Sequence, residues 1–252
     1  MSALPHGHHQ RAGRWAVAAL VAALVLSLAP PAWASPPEGR LYTLGAFDRV
    51  EISGSAVIRY TQGPRNEVFV EGDEEAQKAV TLELHQGQLN IRPAGAWRFW
   101  SNRRTQLTIT SVELTRLSMS GAADWLALEP VVAKRLSVSI SGAGLARFDQ
   151  LKADQLNFSV SGAGDGEVAG SVDELSVEIS GKSSFRGENL ASQRARVSVS
   201  GVGDVKVWAQ QALGITVSGV GTVDYWGPAQ VSRRILGIAR INDRGAKPAR
   251  GP

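Results

Sequence analysis

Acidic side chains at one position of a repeated segment are the residues of this chain closest to catalytic chemistry. Asp165 and Asp204 each follow a Ser-Gly-x-Gly sequence, and Glu167 lies two residues after Asp165. Polysaccharide-cleaving enzymes use two carboxylates about 5–9 Å apart, one as an acid and one as a base or nucleophile. Asp165, Glu167 and Asp204 are therefore the candidate catalytic residues of the alternative hypothesis, a polysaccharide-cleaving enzyme.

The same carboxylates have a structural interpretation, which we favour. Asp124, Asp165 and Asp204 share one repeat position, and the copies between them carry Leu145 and Ser184. If the copies stack at strand spacing, two such Asp residues lie about 9–10 Å apart, at the outer limit for an acid–base pair. An Asp after a glycine also supports a turn by accepting a hydrogen bond from backbone N–H. We therefore expect a protein that is not an enzyme.

The sequence lacks the residues that other catalytic mechanisms require. No Cys is present, which excludes thiol catalysis, Cys-ligated metals and disulfides. Beyond the N-terminal segment the chain has a single histidine, His85, in a predicted turn where we expect it to be exposed. Neither a histidine cluster for a metal nor a nucleophile elbow is found. The sequence therefore predicts no metal site and no cofactor.

Aromatic and basic residues between two predicted strands form the candidate binding site. Trp97, Phe99 and Trp100 lie beside Arg103 and Arg104. Exposed aromatic rings next to cations suit sugar rings or anionic glycans. In the alternative interpretation, which we favour, these aromatic side chains cover an open end of the fold.

A repeat of about twenty residues must position all these side chains. Ser-Gly pairs stand at 120–121, 141–142, 161–162, 180–181, 200–201 and 218–219. Alternating apolar and small polar residues precede and follow each pair, as is typical of β-strands. One such unit buries too little apolar surface to fold alone, whereas stacked copies pair each strand with its equivalent in the next. The repeat therefore predicts an all-β fold, a β-solenoid similar to a parallel β-helix, with rungs of about twenty residues.

The alternation also predicts which residues point into the solenoid. The inward residues nearest each corner are expected to be Met119, Ile140, Val160, Ile179, Val199 and Val217 before the Ser-Gly pairs, and Trp125, Ala146, Gly166, Phe185, Val205 and Val223 after them. We expect the Ser-Gly glycines to turn the corners with positive φ. The less regular segment before Thr115 is predicted to be an N-terminal cap with one helical turn, and residues 235–238 a final degraded rung.

The N-terminus has the pattern of a secretory signal peptide. Arg11 and Arg14 precede an uncharged run, and Ala32-Trp33-Ala34 fits a cleavage site; an uncleaved anchor is the open alternative. We expect a signal peptide at 1–34, a short linker at 35–40, the solenoid at 41–241 and a disordered basic tail at 242–252. The protein is thus expected to be exported, to the periplasm, the cell surface or the medium.

Charge is distributed unevenly along the chain. Residues 35–232 carry 19 Lys/Arg and 22 Asp/Glu, so the body is slightly acidic although the chain has a formal charge of +4. Such a body does not favour binding to nucleic acid.

We expect a non-catalytic binding, adhesion or structural module of the cell envelope, with an envelope glycan or another envelope protein as partner. The mature chain has no predicted membrane span, and an open solenoid end would permit oligomers.

Three segments resemble the head GIN domain family, bacterial exported proteins named as auto-transporter adhesins. They are the opening Phe47–Gly54 segment, the iterated Val-Ser-Gly-x-Gly-Asp at 160–165 and 199–204, and the closing Val223-Asp224-Tyr225-Trp226-Gly227-Pro228. The likeness extends over residues 41–241. It implies a β-helix-like fold and leaves the ligand undefined.

Overall fold

The computed structural model describes residues 38–94 and 104–247. In this part of the chain 71% of the residues are in strands and 2% in helix, and the strands wind into a β-solenoid of about six turns. The predicted all-β solenoid is therefore confirmed. In chain order the elements are β1 (Gly39–Thr43), β2 (Arg49–Ile52), β3 (Ala56–Gln62), β4 (Glu67–Glu71), α1 (Glu74–Lys78), β5 (Val80–His85), β6 (Gln88–Pro93), β7 (Thr105–Ser111), β8 (Arg116–Met119), β9 (Asp124–Ala127), β10 (Val131–Ile140), β11 (Leu145–Val160), β12 (Asp165–Ile179), β13 (Lys182–Val199), β14 (Val202–Val217), β15 (Val220–Trp226), β16 (Gln230–Ile235) and β17 (Ile238–Asp243).

Parallel strands form three ladders along the solenoid. The first ladder precedes the Ser-Gly corners and stacks β6, β2, β8, the ends of β10 to β14, and β16. The second ladder follows the corners and stacks β7, β3, β9, the beginnings of β11 to β14, β15 and β17. The third ladder pairs the beginning of β10 with the middle parts of β11 to β14. Rungs along the whole described solenoid thus contribute to the first two ladders, whereas the third ladder is confined to the rungs of β10 to β14.

Inward side chains of the ladders form one apolar core, as the alternation predicts. All twelve residues expected to point inward at the corners are buried. Within this core the rings of Phe158 and Phe185 pack with centroids 5.0 Å apart. A methyl group on Gly166 would lie 2.5 Å from Cζ of Phe158, so this rung needs a glycine to admit the rings.

Close approach between rungs, and not positive φ, explains most of the corner glycines. Gly54 has a φ of 98°, but the glycines of the six Ser-Gly pairs lie outside the left-handed region. A Cβ on Gly142 would lie 2.0 Å from the carbonyl oxygen of Gly121 in the preceding rung. At the same corner, Ala143 N–H donates to Gly121 O over 2.9 Å. The prediction of positive φ at these corners was wrong, because the constraint comes from the neighbouring rung.

Antiparallel strands and one short helix form the N-terminal cap that the irregular sequence predicts. β5 pairs with β6, and β4 pairs with both β7 and β1, all antiparallel. Helix α1 begins after Asp73, whose carboxylate accepts a hydrogen bond from Ala76 N–H over 2.9 Å. The Gln62 side chain bonds the backbone of Val112 and Val132, so that it substitutes for a strand of the third ladder.

The last rung consists of β16 and β17, which among the described strands pair only with β14 and β15. β17 ends at Asp243, two residues into the segment expected to be a tail. Two contacts explain the extension: Tyr225 OH donates to Asp243 over 2.9 Å, and Asn242 donates to Asp224 over 2.7 Å. Residues of the closing motif therefore hold the last strand in place.

Candidate functional site

The shared Asp position joins adjacent rungs on the outward side of the second ladder. Asp165 Oδ1 accepts hydrogen bonds from Ser184 N–H over 2.9 Å and from Ser184 Oγ over 2.6 Å. Asp124 Oδ1 likewise accepts from Leu145 N–H over 3.2 Å. The expected side-chain to backbone bond exists, but its donor belongs to the next rung and not to the local turn. These carboxylates therefore connect rungs.

Glu167 lies between two arginines of neighbouring rungs. Its carboxylate is 2.5 Å from Arg186 Nη1 and 4.0 Å from Arg147 Nη1, and the three residues are in direct register. The Glu167 carboxylate is thus engaged by basic side chains of the rungs on both sides. Glu167 therefore completes a charge ladder.

The Asp204 carboxylate has neither a hydrogen bond nor an ion pair with any other described residue, although its backbone is part of the second ladder. It lies directly opposite Ser184, the hydroxyl partner of Asp165. Two rungs therefore separate the Asp165 and Asp204 carboxylates, a distance of about 9–10 Å at ordinary strand spacing. Both line a shallow groove with the basic residues Lys182 and Arg240. The three predicted catalytic residues thus share one face without converging on a common point.

Of the predicted aromatic and basic site, Trp97, Phe99, Trp100 and Arg103 lie outside the described residues. Arg104 is described, and its guanidinium forms an ion pair with the carboxylate of Asp124. This places the end of the segment beside the Asp position of the second ladder. The proposed sugar-binding role of the cluster stays a prediction.

A hydroxyl-rich surface on the first ladder is the most regular polar feature of the solenoid, and we call it the serine face. Its outward positions stack in register, and a second column of hydroxyls runs along the adjacent corners. The first column is Ser118, Ser139, Ser159, Glu178, Ser198 and Thr216, and the second is Ser120, Ser141, Ser161, Ser180, Ser200 and Ser218.

Contacts between rungs fix the orientation of the corner hydroxyls. Ser120, Ser141, Ser180 and Ser200 each donate Oγ–H to a carbonyl of the preceding rung over 3.3–3.4 Å. Their own lone pairs stay available as acceptors toward solvent. The hydroxyls are thus arranged at strand spacing on a rigid backbone, with little side-chain entropy left to lose on binding.

Glu178 is the single acidic side chain in the centre of the serine face. It is exposed and lies in register between Ser159 and Ser198. A shallow depression on the surface is lined by Glu178 together with Ser139, Ser159 and Ser198 and the neighbouring corner serines. The surface therefore offers one strong acceptor surrounded by hydroxyl groups. The alternation in the sequence shows regular outward small polar residues, but not that they form one continuous surface.

Three groups with shifted pKa values, Asp224, Tyr225 and Asp243, join the closing motif to β17. Burial by itself raises the pKa of Asp224, but hydrogen bonds from Asn242 and Arg244 outweigh burial and lower it. The Gly245 N–H and the Tyr225 hydroxyl lower the pKa of Asp243. Burial and the bond to Asp243 raise the pKa of Tyr225. These groups are partners of one another, which indicates a structural role.

Neither a metal centre nor a membrane span is evident within residues 38–94 and 104–247. No three His, Cys, Asp or Glu side chains converge there as metal ligands would. None of the helices in that part of the chain has the length and apolar composition to cross a bilayer.

Solved structures share this architecture at low sequence identity. A "putative adhesin" from Bacteroides fragilis is 21% identical, with a TM-score of 0.76 over 82% of this chain and 98% of that chain. A "putative lipid binding protein" from Parabacteroides distasonis is 22% identical, with a TM-score of 0.64 over 85% and 98% of the two chains. A "putative adhesin" from the same species is 20% identical, with a TM-score of 0.68 over 82% and 96%. These likenesses support the fold alone, and no curated protein matches the chain.

The sequence profile of one family covers most of the solenoid. The family described as "Putative auto-transporter adhesin, head GIN domain" matches residues 46–229. This span includes the opening strand β2, the Ser-Gly rungs and the closing motif on β15. The resemblance predicted from those three segments is confirmed, and the chain belongs to the head GIN domain family.

Proposed function

We propose that this chain is a non-catalytic binding module of the cell envelope that holds an envelope glycan on its serine face. The observation that carries the proposal is the register of two hydroxyl columns around Glu178. Glycans present closely spaced hydroxyl and amide groups, which an array of fixed donors and acceptors can bind along an extended length.

The flat surface requires binding by many weak contacts. A single hydrogen bond contributes only about 0.5–1.5 kcal/mol net, so affinity must come from several rungs acting together. Corner hydroxyls held by carbonyls of the preceding rung lower the entropic cost of each contact. A polymer that spans several rungs therefore fits this surface better than a small molecule.

The environment of the carboxylates supports a non-catalytic role. Asp165 accepts two hydrogen bonds from Ser184, and Glu167 is paired with Arg186. Both carboxylates are therefore engaged in contacts that join rungs. Asp204 alone has no described partner, and one carboxylate does not make an acid–base pair.

Export follows from the predicted signal peptide and agrees with the adhesin description of the family. The proposed site of action is the periplasm or the outer surface of the cell. Two of the similar solved structures are likewise described as adhesins. A binding role in the envelope therefore accounts for the fold, the export signal and the hydroxyl surface together.

A glycan-binding assay tests the proposal. The purified exported protein is incubated with insoluble peptidoglycan sacculi and with an array of envelope polysaccharides. We expect retention on at least one glycan and weaker retention of Glu178→Gln and of Ser159→Lys/Ser198→Lys, since lysine side chains would stand above the flat surface. Gln150→Lys, exposed at the bend before the third ladder, is the matched control and should bind like the wild type.

Two outcomes would contradict the glycan assignment. The first is absence of binding to every glycan by folded wild-type protein. The second is binding that is unchanged in Ser159→Lys/Ser198→Lys. Capture of a defined envelope protein that is lost in the same double variant would instead assign the serine face to a protein partner.

A further inference from the structure

Aliphatic side chains stand exposed on the corners of the last three rungs. The residue after the corner glycine is Ala122, Ala143, Ala163 and Lys182 in earlier rungs, and Val202, Val220 and Ile238 in the last three. Val202, Val220 and Ile238 are 50%, 48% and 73% exposed. Beside Ile238, Leu236 is 68% exposed at the position where the six Ser-Gly pairs have Ser. These exposed aliphatic side chains form a row at the C-terminal end of the solenoid, which we call the apolar ridge. It consists of Val202, Val220, Leu236 and Ile238.

The terminal rung leaves this ridge uncovered. β16 pairs with β14 and β17 pairs with β15, and neither has a partner strand among the described residues on its other side. As a result Ile235 is 46% exposed, although Val217, its register partner in the preceding rung, is 0% exposed. Exposed aliphatic clusters of this kind mark interaction sites.

The charge of the terminal rung is opposite to that of the body. Residues 230–247 contain five Lys/Arg and one Asp, whereas residues 38–232 contain 19 Lys/Arg and 22 Asp/Glu. Arg234 immediately precedes the aliphatic residues and Arg240 follows them. Neither is in ion-pair distance of a carboxylate within residues 38–94 and 104–247, whereas Arg244 is bound to Asp224. Two cations therefore flank the apolar ridge without an internal partner.

We propose that the C-terminal rung docks on the surface of an anionic phospholipid bilayer. Leu236 and Ile238 would enter the interface, and Arg234 and Arg240 would contact lipid phosphates, the combination of apolar and cationic groups that binds proteins to anionic membranes. A second copy fits less well, because end-to-end pairing of two terminal rungs brings two basic surfaces together. Water at the headgroup level can satisfy the free backbone groups of β16 and β17.

The docking surface continues the two columns of the serine face at its C-terminal end, where Arg234 follows Thr216 in register and Leu236 takes the corner position of Ser218. The residues around Glu178 are not part of it, so different variants test the two proposals and each can fail without the other. Lipid contact would hold the solenoid by one end, while the stacked hydroxyls of the middle rungs stay accessible. The binding should be weak for a single protein and sensitive to salt, because a small apolar area and exposed charges supply it.

Co-sedimentation with vesicles tests the proposal. The purified protein is mixed with phosphatidylcholine vesicles that contain or lack phosphatidylglycerol. We expect binding only with phosphatidylglycerol, and loss of binding at high salt. Each arginine near an anionic surface is worth about fivefold in partition coefficient, so Arg234→Gln/Arg240→Gln should lose about 25-fold. Leu236→Ser, which restores the common corner residue, should also weaken binding at least severalfold.

Control variants at the other end of the solenoid distinguish a defined docking surface from non-specific binding to vesicles. Val132 is 56% exposed near the N-terminal end and lies beside Lys134 and Arg135. Val132→Ser and Lys134→Gln/Arg135→Gln should bind vesicles as the wild type does. Equal binding to neutral vesicles, or equal losses in the control variants, would overturn the proposal. A concentration-dependent dimer by light scattering that Leu236→Ser abolishes, without vesicle binding, would assign the ridge to a second copy.

Discussion

Replacing Gly142 with alanine should destabilise the solenoid strongly, because the added methyl group would collide with a neighbouring rung. Its Cβ would lie 2.0 Å from the carbonyl oxygen of Gly121, and Cβ contacts below 3.0 Å essentially do not occur. To relieve this contact the two rungs would have to separate locally by about 1 Å. A hydrogen bond between the rungs does not tolerate that much lengthening. The change would therefore break contacts that hold the rungs together.

The expected magnitude follows from those contacts. Ser141 N–H donates to Met119 O, and Ala143 N–H donates to Gly121 O, both over 2.9 Å. Loss of two ladder hydrogen bonds leaves backbone groups unpaired at about 1–3 kcal/mol each. Alanine recovers about 0.4–1 kcal/mol by restricting the unfolded chain. We therefore expect Gly142→Ala to lower the free energy of unfolding by about 1–5.5 kcal/mol.

Gly214→Ala provides the matched control in the same ladder. A Cβ on Gly214 would meet only Ser232 Oγ at 3.7 Å, an ordinary contact. We expect a change within about 1 kcal/mol of zero. Denaturant unfolding with two spectroscopic probes measures both variants, because stacked repeats can unfold in parts. Equal stability of Gly142→Ala and wild type, or equal destabilisation by both variants, would refute the explanation of the corner glycines.

Two further predictions concern carboxylates. Asp165→Ala removes two hydrogen bonds to Ser184 and should cost about 1–2 kcal/mol, whereas Asp204→Ala should be nearly neutral; the reverse order in denaturant unfolding would contradict the assignment. The pKa values of Asp224 and Asp243 in the folded protein lie below the ordinary value of 3.8. Their ionised forms therefore contribute to the free energy of unfolding above that pH, and this contribution is lost as the pH falls through the folded pKa values. The protection factors of the β17 amides, which correct for the pH dependence of intrinsic exchange, should therefore fall below about pH 4, while those of the middle rungs stay high, and an equal fall in both would contradict the prediction.

The local alternation was sufficient to predict the strands and the core. Each inward residue, such as Ile140 or Phe185, is recognised from its immediate neighbours, because strand periodicity is a local property. The irregular N-terminal cap and the degraded last rung were also predictable, since both interrupt the repeat.

Contacts between rungs were not visible in the sequence. The close approach at Gly142 and the bond from Ser184 to Asp165 each join residues about one repeat apart. Their identification requires the register and the distance between rungs, which the spacing of Ser-Gly pairs only approximates. The serine face could not be predicted for the same reason, because the column around Glu178 forms only when the rungs stack in register.

We propose that the solenoid binds an envelope glycan without cleaving it. The most direct measurement follows binding and the release of reducing ends in one experiment, with the polysaccharide that the array identifies. We predict saturable binding without release of reducing ends, and unchanged binding by Asp165→Ala/Asp204→Ala. Release of reducing ends by the wild type that this double variant abolishes would contradict the account and establish the carboxylates as catalytic.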